Sequence, residues 1–206
     1  MAHHYDLRAF QESLARRLRE AHAAPLPDSR LAVQAGPRQW LLRLDQVGEV
    51  LPLALAAGGR FTPVPLTRPW YAGLANVRGK LVSVIDLAQF TDGVASQPGA
   101  AARLVLLAER HQFHCALLVD RMVGLRNRAR YQANGVDVAD VAADGSPVAA
   151  ALVAPWAGPG LIDRDGQAWQ ELDIPALIED ESFRNAGMAA AAAAAAVAAA
   201  DQGGRA

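Results

Sequence analysis

The stretch that decides the fold is Tyr71–Phe90, which reads Y-A-G-L-A-N-V-R-G-K-L-V-S-V-I-D-L-A-Q-F. It predicts a β-hairpin with arms at 73–78 and 80–87, because a tight turn needs a positive φ and glycine accepts one at Arg78-Gly79. The second arm is apolar with almost no alternation, which is typical of a strand covered on both faces. The polar or cationic side chains at the tip are Asn76, Arg78 and Lys80. Most such tips are solvated loops that only close a core hairpin.

Composition and charge exclude several classes of protein. The 206 residues carry a formal net charge of −1, so no basic field favours nucleic acid or anionic lipid as a partner. The single cysteine, Cys115, cannot form an intramolecular disulfide, which suits a reducing compartment. The N-terminus lacks the pattern of a secretory signal, and no run is apolar enough to predict membrane insertion. The sequence therefore predicts a soluble, cytoplasmic protein.

The two ends of the chain differ from its middle. Residues 1–29 predict an amphipathic helix over 6–23 and a linker that contains prolines. The apolar stripe of this helix consists of Leu7, Phe10, Leu14 and Leu18. Whether the helix lies on its own domain or contacts a partner stays open. Residues 181–206 predict an alanine-rich tail, either a frayed helix or disordered, because alanine favours helix but buries little apolar area.

Residues 30–180 predict an all-β domain, because short apolar runs alternate there with Gly, Pro and charged turns. The other predicted hairpins pair 31–35 with 39–44, 104–108 with 113–120, and 160–163 with 167–173. A short helical turn is expected over 45–51, and another over 175–178. Residues 126–154 are expected to be mostly irregular.

The chain also contains an internal repeat. The spacing of Arg, Leu, Ala, Gln and an aromatic residue is the same over 30–40 and over 103–113. Gly79 precedes Asp86 by seven residues, as Gly166 precedes Asp173. Two hairpins and a helical turn per repeat fit a small five-stranded barrel, which closes its sheet to remove free edges. The repeat predicts barrels over about 30–92 and 103–180, and it leaves open whether they are interleaved.

The run G-L-A-N-V-R-G at 73–79, followed by V-I-D-L at 84–87, resembles the signature of the CheW-like family, the coupling domains of bacterial chemosensory arrays. The resemblance covers roughly residues 30–180 and implies two SH3-like barrels. It also implies a non-enzymatic adaptor without a cofactor. Such an adaptor would contact the regulatory domain of a CheA-like histidine kinase, itself CheW-like, and the hairpin tip of a methyl-accepting receptor. The added N-terminal helix favours a PilI-like version, which serves type IV pilus twitching motility rather than chemotaxis.

The resemblance implies a set of partner-binding residues. They are Asn76, Arg78, Gly79, Lys80, Val82, Val84, Val123 and Gly124. Arg78 would be the specifying contact, because a planar guanidinium can bond a carboxylate or a carbonyl in two places. Val82 and Val84 would line a groove. Val123 and Gly124 match the family's V-D-x-V-x-G run, in which glycine lets a partner approach closely.

Several further residues have structural roles in this interpretation. The aspartates each end a predicted strand, where a carboxylate commonly accepts backbone N–H bonds from the following turn. The glycines lie at separate turns and do not form a phosphate-binding loop. The residues assigned to turns are Gly73, Asp86, Asp120, Gly166 and Asp173.

The alternative function belongs to another class, a β-barrel enzyme or small-molecule binder that uses the His111–Cys115 region. His114 and Cys115 are neighbours on one predicted strand, so their side chains would point to opposite faces and would not converge on a metal. No catalytic or metal site is therefore predicted. A coupling domain that caps array edges without supporting kinase activation is a third possibility.

Overall fold

The structure is a computed structural model that describes residues 28–56, 60–133 and 152–187. The strands are β1 Ser29–Ala35, β2 Arg38–Arg43, β3 Val47–Pro52, β4 Tyr71–Val77, β5 Lys80–Asp86, β6 Arg103–Leu107, β7 Cys115–Val119, β8 Arg121–Asn127, β9 Gln132–Ala133, β10 Ala157–Ile162 and β11 Ala168–Leu172. The α-helices are α1 Leu87–Asp92, α2 Ile174–Glu179 and α3 Glu181–Arg184. The predicted N-terminal helix and the alanine run from residue 188 onward lie outside the described residues.

The hairpin predicted from the opening stretch is confirmed. β4 and β5 pair antiparallel up to Val77 and Lys80. The two turn residues both have positive φ, 53° at Arg78 and 83° at Gly79, which matches the twist of the flanking strands. The Asn76 side chain supports the turn, because its Oδ1 accepts a 2.8 Å hydrogen bond from the Gly79 N–H.

The other three predicted hairpins are also confirmed, as β1–β2, β6–β7 and β10–β11. The helical turn predicted over 45–51 is wrong for most of its length. Leu44–Gln46 is a single 3-10 turn, and the following residues form strand β3. β3 pairs antiparallel with β6, so hydrogen bonds to a distant strand decide the conformation there.

The strands form two sheets. The first sheet has the order β8-β1-β2-β11-β10-β9, and the second has the order β3-β6-β7-β5-β4. Neighbours are antiparallel except for β2 with β11 and β5 with β7, which are parallel. Among the described residues no strand pair joins the two ends of either sheet. The predicted pair of closed five-stranded barrels is therefore corrected to open sheets of six and five strands.

Three apolar clusters fill the part of the molecule that the structure describes. The central core contains side chains from both sheets, including Val33, Trp40, Ile85, Leu117 and Leu172. The other face of the second sheet covers a cluster that includes Val82, Val84, Leu104 and Leu118, which we call the second-sheet core. The other face of the first sheet covers a cluster that includes Ala32, Leu41, Leu161 and Trp169. Successive residues of a strand enter different clusters because side chains alternate between the faces of a sheet.

The two sequence repeats do not correspond to the two sheets. β1 and β2 come from the first repeat, yet their sheet is completed by β8, β10 and β11 from the second. The second sheet likewise joins β6 and β7 to β3, β4 and β5. The chain crosses between the sheets after β2 and after β7. The sheets are therefore interleaved along the chain, the arrangement that the repeat left open.

Asp120 lies at the second crossing. Its N–H donates to the Gln34 carbonyl over 2.9 Å. Its Oδ2 accepts a 2.6 Å hydrogen bond from the N–H of Gly36, in the turn between β1 and β2. The carboxylate thus stabilises a distant turn rather than the turn that follows it.

Asp86 and Asp173 occupy equivalent places in the two repeats, each as the N-cap of a helix. Asp86 is 8% exposed and accepts hydrogen bonds from the Gln89 N–H (3.1 Å), the Ser96 N–H (2.8 Å) and the Ser96 hydroxyl (2.7 Å). Asp173 is exposed and accepts a 3.2 Å bond from the Ala176 N–H.

This difference predicts unequal effects of substitution. Asp86→Ala is expected to lower the free energy of unfolding by about 2 to 3 kcal/mol, because a cap is lost and the two partly buried Ser96 donors also lose their acceptor. Asp173→Ala is expected to cost about 1 kcal/mol, since only the cap is lost. Urea unfolding of both variants measures the two losses, and equal losses would contradict the prediction.

An aromatic cluster joins the C-terminal helices to the central core. We define it as Trp40, Trp70, Phe90, Phe113, Trp156 and Phe183, whose rings make successive contacts with centroids 5.3 to 6.2 Å apart. Phe183 is 2% exposed and lies on α3. The sequence predicted a frayed helix or a disordered tail from residue 181, and the first residues of that range form α3, with the large apolar side chain of Phe183 packed in the central core.

Candidate partner-binding surface

The tip, which we define as Asn76, Arg78, Gly79 and Lys80, lies at the end of the β4–β5 hairpin. All four residues are exposed. A Cβ built at Gly79 would meet no described atom within 4 Å, so the backbone there is open to a partner.

Each tip cation forms an ion pair with a carboxylate of another element. Arg78 Nη2 donates to Glu49 Oε1 on β3 over 2.7 Å. Lys80 Nζ donates to Glu109 Oε1, in the 3-10 turn between β6 and β7, also over 2.7 Å. This hydrogen bond from Lys80, with the attraction of its charge, lowers the pKa of Glu109. The Arg78 side chain is 74% exposed and the Lys80 side chain is 64% exposed, so both pairs are screened by water and contribute little to stability.

A groove of about 180 Å³ opens beneath these ion pairs. Its apolar lining consists of Val77, Val82, Leu106, Leu107, Phe113 and Cys115. Its charged and polar rim consists of Glu49, Arg78, Lys80, Glu109 and His114. An apolar floor beneath a charged rim can accept an apolar side chain from a partner whose neighbouring residues are charged.

The two valines that the sequence nominated for a groove are buried. Val84 is 0% exposed and belongs to the second-sheet core, so it has no surface to offer a partner. Val82 is 5% exposed and contributes only to the groove wall. Leu81, which the sequence analysis did not single out, is 65% exposed beside the tip. The expectation that β5 is covered on both faces therefore holds from Val82 onward but not at Leu81.

The other nominated pair, Val123 and Gly124, lies on β8, the terminal strand of the first sheet. Val123 is partly buried against the apolar cluster on the outer face of the first sheet, which includes Leu41 and Trp169. Gly124 has φ 138°, and a Cβ there would meet no described atom within 4 Å. The exposed apolar residues on this strand are its neighbours Met122 and Leu125, at 40% and 61% exposure. The tip and the β8 edge are thus on different sheets and form two separate surfaces.

The side chains of the His111–Cys115 region, which the alternative function would use, lie in different environments. Cys115 is 2% exposed within the central core, and burial raises the pKa of its thiol. A buried neutral thiol is a poor nucleophile. His114 is exposed. Within residues 28–56, 60–133 and 152–187 no group of three His, Cys, Asp or Glu side chains could hold a metal ion, and no helix has the length and apolarity to cross a membrane.

The fold and the hairpin signature lead to a comparison with known families. The model of the CheW-like domain matches residues 30–182, which span both sheets and all three apolar clusters. The chain belongs to the CheW-like family. The matched region includes the tip, the groove and the β8 edge.

Two known proteins are similar in sequence to part of this chain. The chain is 34% identical over 113 residues to Protein PilI of Pseudomonas aeruginosa, a match that covers 51% of this chain and 60% of the length of PilI. It is 27% identical over 119 residues to Chemotaxis protein CheW of Thermotoga maritima, covering 58% of this chain and 70% of that protein.

A solved CheW-like structure shows the same fold. The scaffolding protein TtCheW of Thermoanaerobacter tengcongensis superposes with a TM-score of 0.52 at 18% identity, over 72% of this chain and 90% of that one. This similarity shows a shared fold and does not extend to the roles of individual side chains.

Proposed function

We propose that this CheW-like protein is a non-enzymatic, cytoplasmic adaptor that couples a chemosensory histidine kinase to its receptors. The observation that carries the proposal is the exposed hairpin tip with Arg78 at its apex, in a chain of this family. The partners would be the regulatory domain of a CheA-like kinase and the hairpin tip of a methyl-accepting receptor. The 34% identity to PilI favours a system of the twitching-motility type.

We infer that each of the two separate surfaces binds a different partner. The tip and its groove offer charge and a small apolar recess, which suit a folded partner with a carboxylate near an apolar side chain. The β8 edge offers backbone hydrogen-bonding groups beside exposed Met122 and Leu125, which suit an elongated partner. We assign the kinase to the tip and the receptor to the β8 edge. The adaptor would then hold both at once.

Affinity for the purified cognate kinase tests the assignment of the tip. Arg78→Glu is expected to weaken binding at least about tenfold, because it replaces the cation that a partner carboxylate would contact with a charge that repels it. Arg164→Glu is the matched control. Arg164 is exposed in the β10–β11 turn, and the same charge change there is expected to alter affinity by less than about twofold.

Two results would count against the proposal. Failure of the wild-type protein to retain either kinase or receptor in a pull-down would remove the adaptor function altogether. Equal loss of affinity in both variants would show that net charge rather than the tip governs binding. Kinase activity reconstituted with receptor then separates an activating adaptor from a domain that only caps an array.

A further inference from the structure

Two exposed apolar residues of the terminal strand β8 lie on the face of the first sheet that faces the central core. Leu125 is the strand partner of Leu31, and Met122 is the partner of Val33. Opposite residues of an antiparallel pair share a face, and both Leu31 and Val33 belong to the central core. Leu125 is nevertheless 61% exposed, and Met122 is 40% exposed. We call Met122 and Leu125 the β8 patch, which continues the central core to a place where the described residues leave it open to solvent.

The described part of the chain begins beside this patch. The Asp28 carbonyl accepts a 2.8 Å hydrogen bond from the Arg128 N–H, at the end of β8 that follows Leu125. Leu125 lies about 10 Å from that point, because a strand advances about 3.3 Å per residue. Residues 1–27 therefore join the fold close to the β8 patch, and a short linker is enough for them to reach it.

The sequence of residues 6–23, which lie outside the described part of the chain, supplies an apolar surface of matching length. The four apolar residues of the predicted helix recur at spacings of three and four between Leu7 and Leu18. A helix places such residues along one side over about 17 Å. Met122 and Leu125 are about 10 Å apart along β8, so the apolar stripe is long enough to cover both.

The patch is distinctive within its sheet. Among the described strands of the first sheet, only β8 carries large apolar side chains that are exposed. A terminal strand with exposed apolar side chains is a template for association with other chains unless something covers it. A segment joined to β1 by a few residues has an effective concentration in the millimolar range, which favours it over a second copy or a free partner of weak affinity.

We propose that the apolar stripe of residues 6–23 packs on the β8 patch, so that the N-terminal segment covers the β8 edge of its own chain. The receptor, which we assigned to this edge, must then displace the segment before it binds. Displacement makes the segment a built-in competitor that sets the apparent affinity for the receptor. This competition rests on the proposed function, whereas the packing of the stripe on the patch does not.

Cross-linking in the full chain tests the packing. Leu14→Cys combined with Leu125→Cys is expected to form an intramolecular link with a short bis-maleimide about tenfold faster than Arg16→Cys combined with Leu125→Cys. Arg16 is the matched control because it lies two residues from Leu14 but on the opposite side of the predicted helix. Cys115 is 2% exposed, so it does not compete for the reagent.

Two results of the cross-linking would overturn the inference. Equal rates for the two cysteine pairs would show that the linker alone brings residues 6–23 near β8 and that the apolar stripe does not bind there. Links between two molecules rather than within one, detected as a dimer on a denaturing gel, would assign the β8 patch to a second copy of the chain.

Affinity for the purified cognate receptor tests the competition. Phe10→Ser combined with Leu14→Ser is expected to tighten binding about three- to tenfold, because the β8 patch is then free in a larger fraction of molecules. Arg16→Ser is the control and is expected to leave affinity unchanged within about 1.5-fold. Unchanged affinity in the double variant, when the wild-type protein binds, would overturn the competition. Failure of every variant to bind would overturn the receptor assignment, while the cross-linking result decides the packing independently.

Discussion

Replacement of Gly73 by alanine is expected to lower the free energy of unfolding by about 3 kcal/mol or more. Gly73 lies within β4, where the register to β5 shifts, and not at a turn as the sequence predicted. Its φ is 129°, and a Cβ built there would lie 2.4 Å from the carbonyl oxygen of Thr62. Two hydrogen bonds restrain that oxygen. It accepts from the Leu74 N–H over 2.9 Å, and the Thr62 N–H donates to the Leu74 carbonyl over 2.8 Å.

Gly124→Ala is the matched control for this clash. Gly124 has a similar φ of 138°, yet a Cβ there would meet no described atom within 4 Å. Only the cost of a strained backbone remains, about 1 to 2 kcal/mol. The difference between the two variants in urea unfolding therefore measures the collision with Thr62. Equal losses would mean that this contact is absent in solution.

Replacement of Phe183 by alanine is expected to cost about 3 to 5 kcal/mol, the range for removing a buried aromatic side chain. Its ring stacks on Trp70 at 6.1 Å and meets the edge of Phe90 at 5.3 Å. It also contacts Phe113 at 6.0 Å, and Phe113 lines the groove. We therefore expect Phe183→Ala to loosen the groove wall as well as α3.

Arg184→Ala on the same helix is the control for Phe183. Arg184 is exposed, and its replacement is expected to change stability by less than about 0.5 kcal/mol. Phe183→Leu should fall between the two because it keeps part of the buried volume. Thermal and urea unfolding measure the series, and a small loss for Phe183→Ala would show that the C-terminal helix does not dock in solution.

The elements that could be predicted from the sequence are those whose conformation is determined by neighbouring residues. The turn at Arg78-Gly79 follows from the positive φ that glycine accepts, and the helix after Asp86 follows from a capping carboxylate. β3 was missed because its conformation depends on β6, more than fifty residues away. The pairing of β1 with β8 was missed for the same reason. No periodicity within either segment identifies the distant partner.

The same distinction applies to the candidate site, where contiguous residues could be predicted and contacts between distant residues could not. The tip was predicted because its residues are contiguous and carry a family signature. Glu49 and Glu109 were not, because each lies 29 residues from the cation that it contacts. Val84 was nominated for its apolar character, but alternation along β5 places it in the second-sheet core. The same alternation puts Leu81 on the face of Ile85, which is buried in the central core, so alternation does not predict that Leu81 is exposed at the end of the strand.

The first sheet contains strands from both the beginning and the end of the described chain, and this separation affects the nascent protein during synthesis. β2 ends at Arg43, yet the strands that flank the β1–β2 hairpin begin only at Arg121 and Ala168. A ribosome therefore releases this hairpin with two apolar faces long before its neighbours exist, and the nascent chain must be kept from associating with other chains meanwhile. The order of synthesis, rather than the finished geometry, sets the moment at which the molecule is most prone to aggregate.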